Sequence, residues 1–172
     1  MNRERLEHLC VIMQRVIDED RMFNMGSWGE VRGEKANLCN TAACALGWAA
    51  LQPECIADGL HMLAVWNDDD DERHEQVILT RGDWRRLPNP LDHEIEFSPV
   101  FNDHCGFNAG AEYYDINGET ANYLFDPGSY LEPRPITPEH VINRVKNVLD
   151  YGDLVNEDEP EADPPAPTVG FV

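Results

Sequence analysis

Residues 42–50, AACALGWAA, constrain this chain more than any other stretch. Asn40 or Thr41 can cap a helix running from here through Leu51, because a side-chain oxygen at that position accepts an orphan amide hydrogen. Pro53 ends it, since the residue before a proline avoids the helical region. Ala42, Ala43, Ala45, Ala49 and Ala50 surround nearly the whole circumference of such a helix. A helix that is small and apolar all round is a buried one, with other backbone close on several sides. The rest of the chain must therefore build an enclosure. Its 172 residues suffice for one domain with a real core, without a disulfide or metal staple.

The enclosing elements are read from periodicity and caps. Leu6, Leu9, Met13 and Val16 or Ile17 recur at helical spacing and predict an amphipathic helix over about 2–20. Residues 22–38 read as an ordered loop anchored by Trp28. Pro53 suits the first position of a short further turn, which Gly59 closes. The apolar run 60–66 is short enough to be a strand or a helix continuation, and its periodicity leaves both open. Residues 76–80 (QVILT) read as a strand. Residues 81–110, with Pro88, Pro90 and Pro99, read as irregular apart from a short strand around Ile95. A helix over 117–125 is capped by Asn117 and ended by Asp126-Pro127-Gly128. The last helix has the clearest start: Thr137 caps, Pro138 fills the first turn and Glu139 suits the dipole. Its stripe is Val141, Ile142, Val145, Val148 and Leu149, and Gly152 stops it. The expected fold is a single helix-rich α+β domain over 1–152, with a buried Ala-rich central helix and a few short strands. Residues 153–172, acidic and proline-rich, are expected to be a flexible tail dispensable for folding.

Charge limits function. Thirteen Lys and Arg stand against 33 Asp and Glu, a net charge of −20. Such a balance excludes direct nucleic-acid binding by counterion release and attraction to an anionic membrane surface. No stretch approaches the roughly 20 apolar residues of a membrane span. The first twenty residues mix acids into their apolar positions, unlike a secretory leader, and five cysteines fit a reducing cytoplasm. The tail contributes −6 and residues 67–75 contribute −5, which leaves −9 on the rest. Asp68, Asp69, Asp70, Asp71 and Glu72 form the densest run and the candidate binding residues, read as a solvated loop. They lack the spacing and turn glycine of a calcium loop.

Three chemistries compete for the cysteines. Cys39 and Cys44 supply three ligands of the type zinc takes with His61, or four with His104 and Cys105, though C-x4-C matches no ribbon or finger. Cys44 in the first turn of a helix, with His61 or His104 as base, is a candidate thiol nucleophile for a small hydrolase. The third reading, preferred here, makes Cys39 and Cys44 small buried hydrophobes, and Cys10 and Cys55 need no other explanation. His8 and His140 read as surface or cap residues, and His74 and His93 as surface histidines among acids. Phosphate loops, dinucleotide fingerprints, zincin motifs and nucleophile elbows are all missing, so no cofactor is expected.

CNTAACALGWA, together with FNMGSW before it and ANYLFDPGSY and ITPEHVINRV after it, resembles small uncharacterised phage and bacterial proteins carrying a C-G-T-x-A-C-x-x-G-x-A signature. Asn40 stands where that pattern has Gly. The resemblance supplies no catalytic residue and implies a phage or mobile-element accessory protein. The expectation is a non-catalytic cytoplasmic protein that binds a basic protein, such as a host nucleic-acid-binding protein, through acidic surface, in the manner of a DNA mimic.

Overall fold

The structure, a computed structural model, describes residues 1–31, 41–67, 74–79, 83–131 and 135–154. Helix α1 (Arg3–Asp18) starts where the Asn2 side chain accepts from the Arg5 amide, and it buries Leu6, Leu9, Ile12, Met13 and Val16. Strands β1 (Glu30–Val31) and β2 (Thr41–Ala42) pair antiparallel, Glu30 with Ala42 and Val31 with Thr41. The central helix α2 is shorter than its sequence implies. It spans Ala45–Ala50, its cap is Cys44, and Thr41 and Ala42 belong to a strand. Tertiary pairing wins here over helix propensity. The Asn24 amide donates to the Ala43 carbonyl (3.1 Å) and the Cys44 amide to Ser27 (2.8 Å), which holds this entry extended.

The expected enclosure is present. Every residue of α2 is buried, and it packs against α1, against α3 (Pro53–Ala57) and against a sheet. Pro53 opens α3, and Gly59 beyond it has φ +98°, the left-handed region that favours glycine. At Gly47 a Cβ would lie 1.8 Å from the Trp28 carbonyl oxygen, so two backbones touch there.

Pairing settles 60–66 as strand. Strands β3 (His61–Asn67), β4 (His74–Leu79), β5 (Ile95–Phe101) and β6 (His104–Cys105) form an antiparallel sheet in the order β4-β3-β5-β6. Alternation sends Met62, Ala64, Val77, Leu79 and Phe97 into the core. Pro99 is tolerated because β6 pairs only with Val100 and Phe101, so β5 is an edge strand up to that point.

The second half of the 81–110 region is not irregular. Helix α4 (Gly106–Tyr114) begins there and ends at Asp115 in the left-handed conformation, φ 50°. Gly110 lets it approach α2 and α5: a Cβ would meet Leu46 at 2.9 Å and Phe125 at 3.1 Å. Helix α5 (Gly118–Phe125) is capped by Asn117, whose side chain accepts from the Thr120 amide. Helix α6 (Pro138–Tyr151) carries the expected Thr137 and Pro138 start and lies along α1. The described chain then runs two residues past the expected boundary. The Leu154 amide donates to Thr120 Oγ1 (2.8 Å), and its carbonyl accepts from the Asn117 side chain (2.6 Å).

Among the described residues, one charged side chain is buried. Arg144 of α6, 6% exposed, donates to the Tyr123 carbonyl and to the Ser129 hydroxyl and carbonyl, each at 2.7 Å from Ser129. It also stacks on the rings of Tyr130 and Tyr123. A guanidinium is the side chain for this place, since its fixed fork satisfies several carbonyls at once.

Candidate functional site

Most described guanidinium groups are engaged within the molecule. Arg3 meets Glu7 at 3.4 Å and the Leu149 carbonyl at 2.5 Å. Arg5 meets Asp58 at 2.7 Å and lies over the Tyr113 ring at 4.3 Å. Arg15 reaches Glu54 at 3.0 Å, and Arg21 reaches Glu19 at 2.9 Å. The amide at its own helical position, and then Arg15, hold the Glu54 carboxyl below its usual range. Arg144 is buried on carbonyls. The carboxylates left over therefore set the surface potential.

They are not evenly placed. Strands β3, β4 and β5 contain no Lys or Arg at all. Glu96 of β5 and Glu94 just before it are exposed and form no ion pair among the described residues. Asp68, Asp69, Asp70, Asp71 and Glu72 lie outside the described residues. Their described flanks, Asn67 and His74, are a cross-strand pair next to the one in which Trp66 faces Ile95. Glu94 and Glu96 are the described carboxylates at the end of the sheet where Trp66 faces Ile95.

The cysteines separate. Cys44 is 1% exposed, and its Sγ accepts from the Gly47 amide at 3.3 Å. Helix-start amides favour a thiolate, but burial outweighs them and pushes this thiol up to about 11. That is the reverse of the activation a nucleophile needs. Burial also pushes up the Cys55 and Cys10 thiols. Cys105 is exposed at the entry to α4, and its neighbour His104 meets Glu112 at 2.7 Å. His61 opens β3 with a shielded Nδ1 that has no hydrogen-bond partner among the described residues. Cys39 lies outside the described residues. Among those described, no three His, Cys, Asp or Glu side chains converge as a metal site.

Two features escaped the sequence reading. One is an open cleft of about 410 Å³ lined by Asn2, Glu4, Arg5, His8, Glu54, Asp58 and Tyr113. Three separate elements build it, so no local motif announces it. Its cation is already held by Asp58, and Glu54 is held by Arg15, which leaves an ion-paired wall. The other is the sheet face turned away from the core, where half-buried Leu63, Val65 and Val100 and exposed Ile78 (46%) are not among the described residues that join the core or pack against it. Comparison with known proteins finds no matching family model, no matching characterised protein and no matching solved structure. Among the described residues, no helix is long and apolar enough to cross a membrane.

Proposed function

We propose that this protein is a non-catalytic binding protein whose partner is a basic protein, engaged through carboxylate-rich surface. The observation that carries this reading is the distribution of charge. The cations of α1 and Arg21 are tied to the protein's own acids and carbonyls, while strands β3, β4 and β5 carry no Lys or Arg and the sequence between β3 and β4 holds five acids against Arg73. A field of one sign steers an oppositely charged partner and repels nucleic acid and anionic lipid. A partner that itself binds nucleic acid suits this surface, because carboxylates occupy the place of phosphates. The resemblance of 39–49 to phage-encoded proteins fits an accessory role of this kind. The burial of Cys44 speaks against the alternative of a thiol hydrolase centred there.

Affinity capture at low salt, followed by titration of the purified partner, tests the reading. The expected result is a stoichiometric complex with a basic protein that weakens steeply between about 0.1 and 1 M salt, as the screening length falls from roughly 10 to 3 Å. A partner held equally well at high salt would leave solubility as the only role for the charge.

A further inference from the structure

We infer that the outer face of the β4-β3-β5 sheet is the docking surface, and that its occupant is an amphipathic segment of a basic protein. The inference rests on the reading above that the partner is basic, and it adds the surface and the chemistry of recognition. Register assembles the face in three cross-strand rows. Ile78, Leu63 and Ser98 form one, Gln76, Val65 and Glu96 the next, and His61 with Val100 the third. The alternate rows, Leu79-Met62-Pro99 and Val77-Ala64-Phe97, point into the core. The outer rows thus set four apolar side chains side by side, none of them packed on the core. Glu96 lies within this set, and exposed Glu94 precedes it on the same strand end.

An apolar centre beside unneutralised acids has the anatomy of an interface, with a dry core and a polar rim. Charge complementarity selects the occupant. With no Lys or Arg on the three strands, a cationic partner meets only complementary charge from the strands themselves. A second copy would bring the same glutamates and another −20. Aliphatic or aromatic side chains of the partner cover Leu63, Val65, Ile78 and Val100, and its lysines or arginines meet Glu94 and Glu96.

The test uses the full chain and two synthetic peptides, one of leucine and lysine at helical spacing and one with every leucine replaced by serine. Binding is measured calorimetrically at about 0.05 and 0.5 M salt, with backbone amide shifts mapping the contact. The leucine–lysine peptide is expected to bind one to one, at least about tenfold tighter than the serine–lysine peptide, and to move the amides of β3, β4 and β5. Val65→Thr with Ile78→Thr keeps the branched shape of both side chains and should cost about tenfold. Glu94→Gln with Glu96→Gln should weaken binding about three- to tenfold and flatten its salt dependence. Glu119→Gln with Asp150→Asn, which removes equal charge from α5 and α6, should leave the shift map unchanged. If the threonine pair disturbs the amide spectrum, the glutamine pair and the map decide. Equal binding by the threonine variant and the parent, with shifts elsewhere, overturns the face and leaves the charge reading standing. No binding of either peptide at low salt removes the charge reading as well. A dimer that the threonine pair dissolves assigns the face to a second copy and overturns the proposal.

Discussion

Replacing Gly47 with alanine sets helix propensity directly against packing. On propensity alone the substitution should help, by about 1 kcal/mol, because glycine is the poorest common residue inside a helix. The structure reverses that sign. The added Cβ would stand 1.8 Å from the Trp28 carbonyl oxygen, 2.9 Å from its carbon and 3.0 Å from the Ala43 Cβ. More than 1 Å of separation has to be found, and the obstruction is backbone. Trp28 is fixed on one side by its ring against Phe107, centroids 4.7 Å apart, and on the other by the bond between Ser27 and the Cys44 amide. Moving it puts that bond and the bond between the Asn24 amide and Ala43 at risk, at about 1 kcal/mol each. Overpacking adds about 1–3 kcal/mol. Net of the propensity gain, Gly47→Ala should destabilise by about 2–4 kcal/mol, a fall in Tm of about 5–15 °C for a domain of this size. The control is Gly118→Ala, also at a helical position but with nothing within 4 Å of the new methyl. It should raise stability by about 0.4–1 kcal/mol. Urea unfolding monitored by circular dichroism reads both variants. A Gly47→Ala protein that melts at or above the parent refutes the close approach of α2 to the Trp28 segment, and with it the placement of that helix.

Four further outcomes follow from the same contacts. Ala45→Leu and Ala49→Leu, both at fully buried positions, should each cost about 1–3 kcal/mol in urea unfolding, and unchanged midpoints would place α2 at the surface. Arg144→Lys should cost about 2–4 kcal/mol, since an ammonium cannot reach the Ser129 hydroxyl and carbonyl together with Tyr123; a midpoint equal to the parent's counts against that role. The Cys44 thiol, raised from 9.0 to about 11, contributes stability that is intact below pH 9 and is lost as pH climbs through 11. That is about 3 kcal/mol of alkaline sensitivity that Cys44→Ala should flatten, while the raised Tyr113 and Tyr114 hydroxyls keep a residual decline. Ending the chain at Gly152 removes the two hydrogen bonds of Leu154 and should cost about 1–2 kcal/mol by thermal unfolding, against the sequence expectation that everything from 153 onward is dispensable.

Much of the fold was legible because its signals are local. The stripe of α1, the Asn117 and Thr137 caps, and the Pro53 and Gly59 boundaries of α3 are set by backbone chemistry within a few residues. The misses have a common cause in distant partners. Residues 41–44 looked helical from composition, but pairing with β1 and with 23–27 holds them extended. Helix α4 was hidden by Gly106 and Gly110, which resemble breakers. One has φ +59° and the other serves close packing against Leu46 and Phe125. Arg144 was left out of the α6 stripe because its carbonyl partners carry no sequence signature. The excess of acid was plain in the sequence, but its position was not. In LHMLAVW both strand faces are apolar, so nothing local tells Met62, which is buried, from Leu63, which faces outward. Only the register with β4 and β5 distinguishes them.

The Arg144 clamp also bears on the order in which the chain closes. Its partners Tyr123 and Ser129 lie 21 and 15 residues away along the sequence. The salt bridge between Arg5 and Asp58 spans 53, and the hydrogen bond that ties α1 to the end of α6 spans 146. Loop-closure entropy rises with span, and short-range contacts form soonest. Helices α5 and α6 can therefore come together before the distant helix α1 arrives, around a cation that reaches its carbonyls over a short span. Substitutions at Arg144 should slow folding, whereas a change such as Arg3→Ala, at the last contact to close, should act mainly by speeding unfolding.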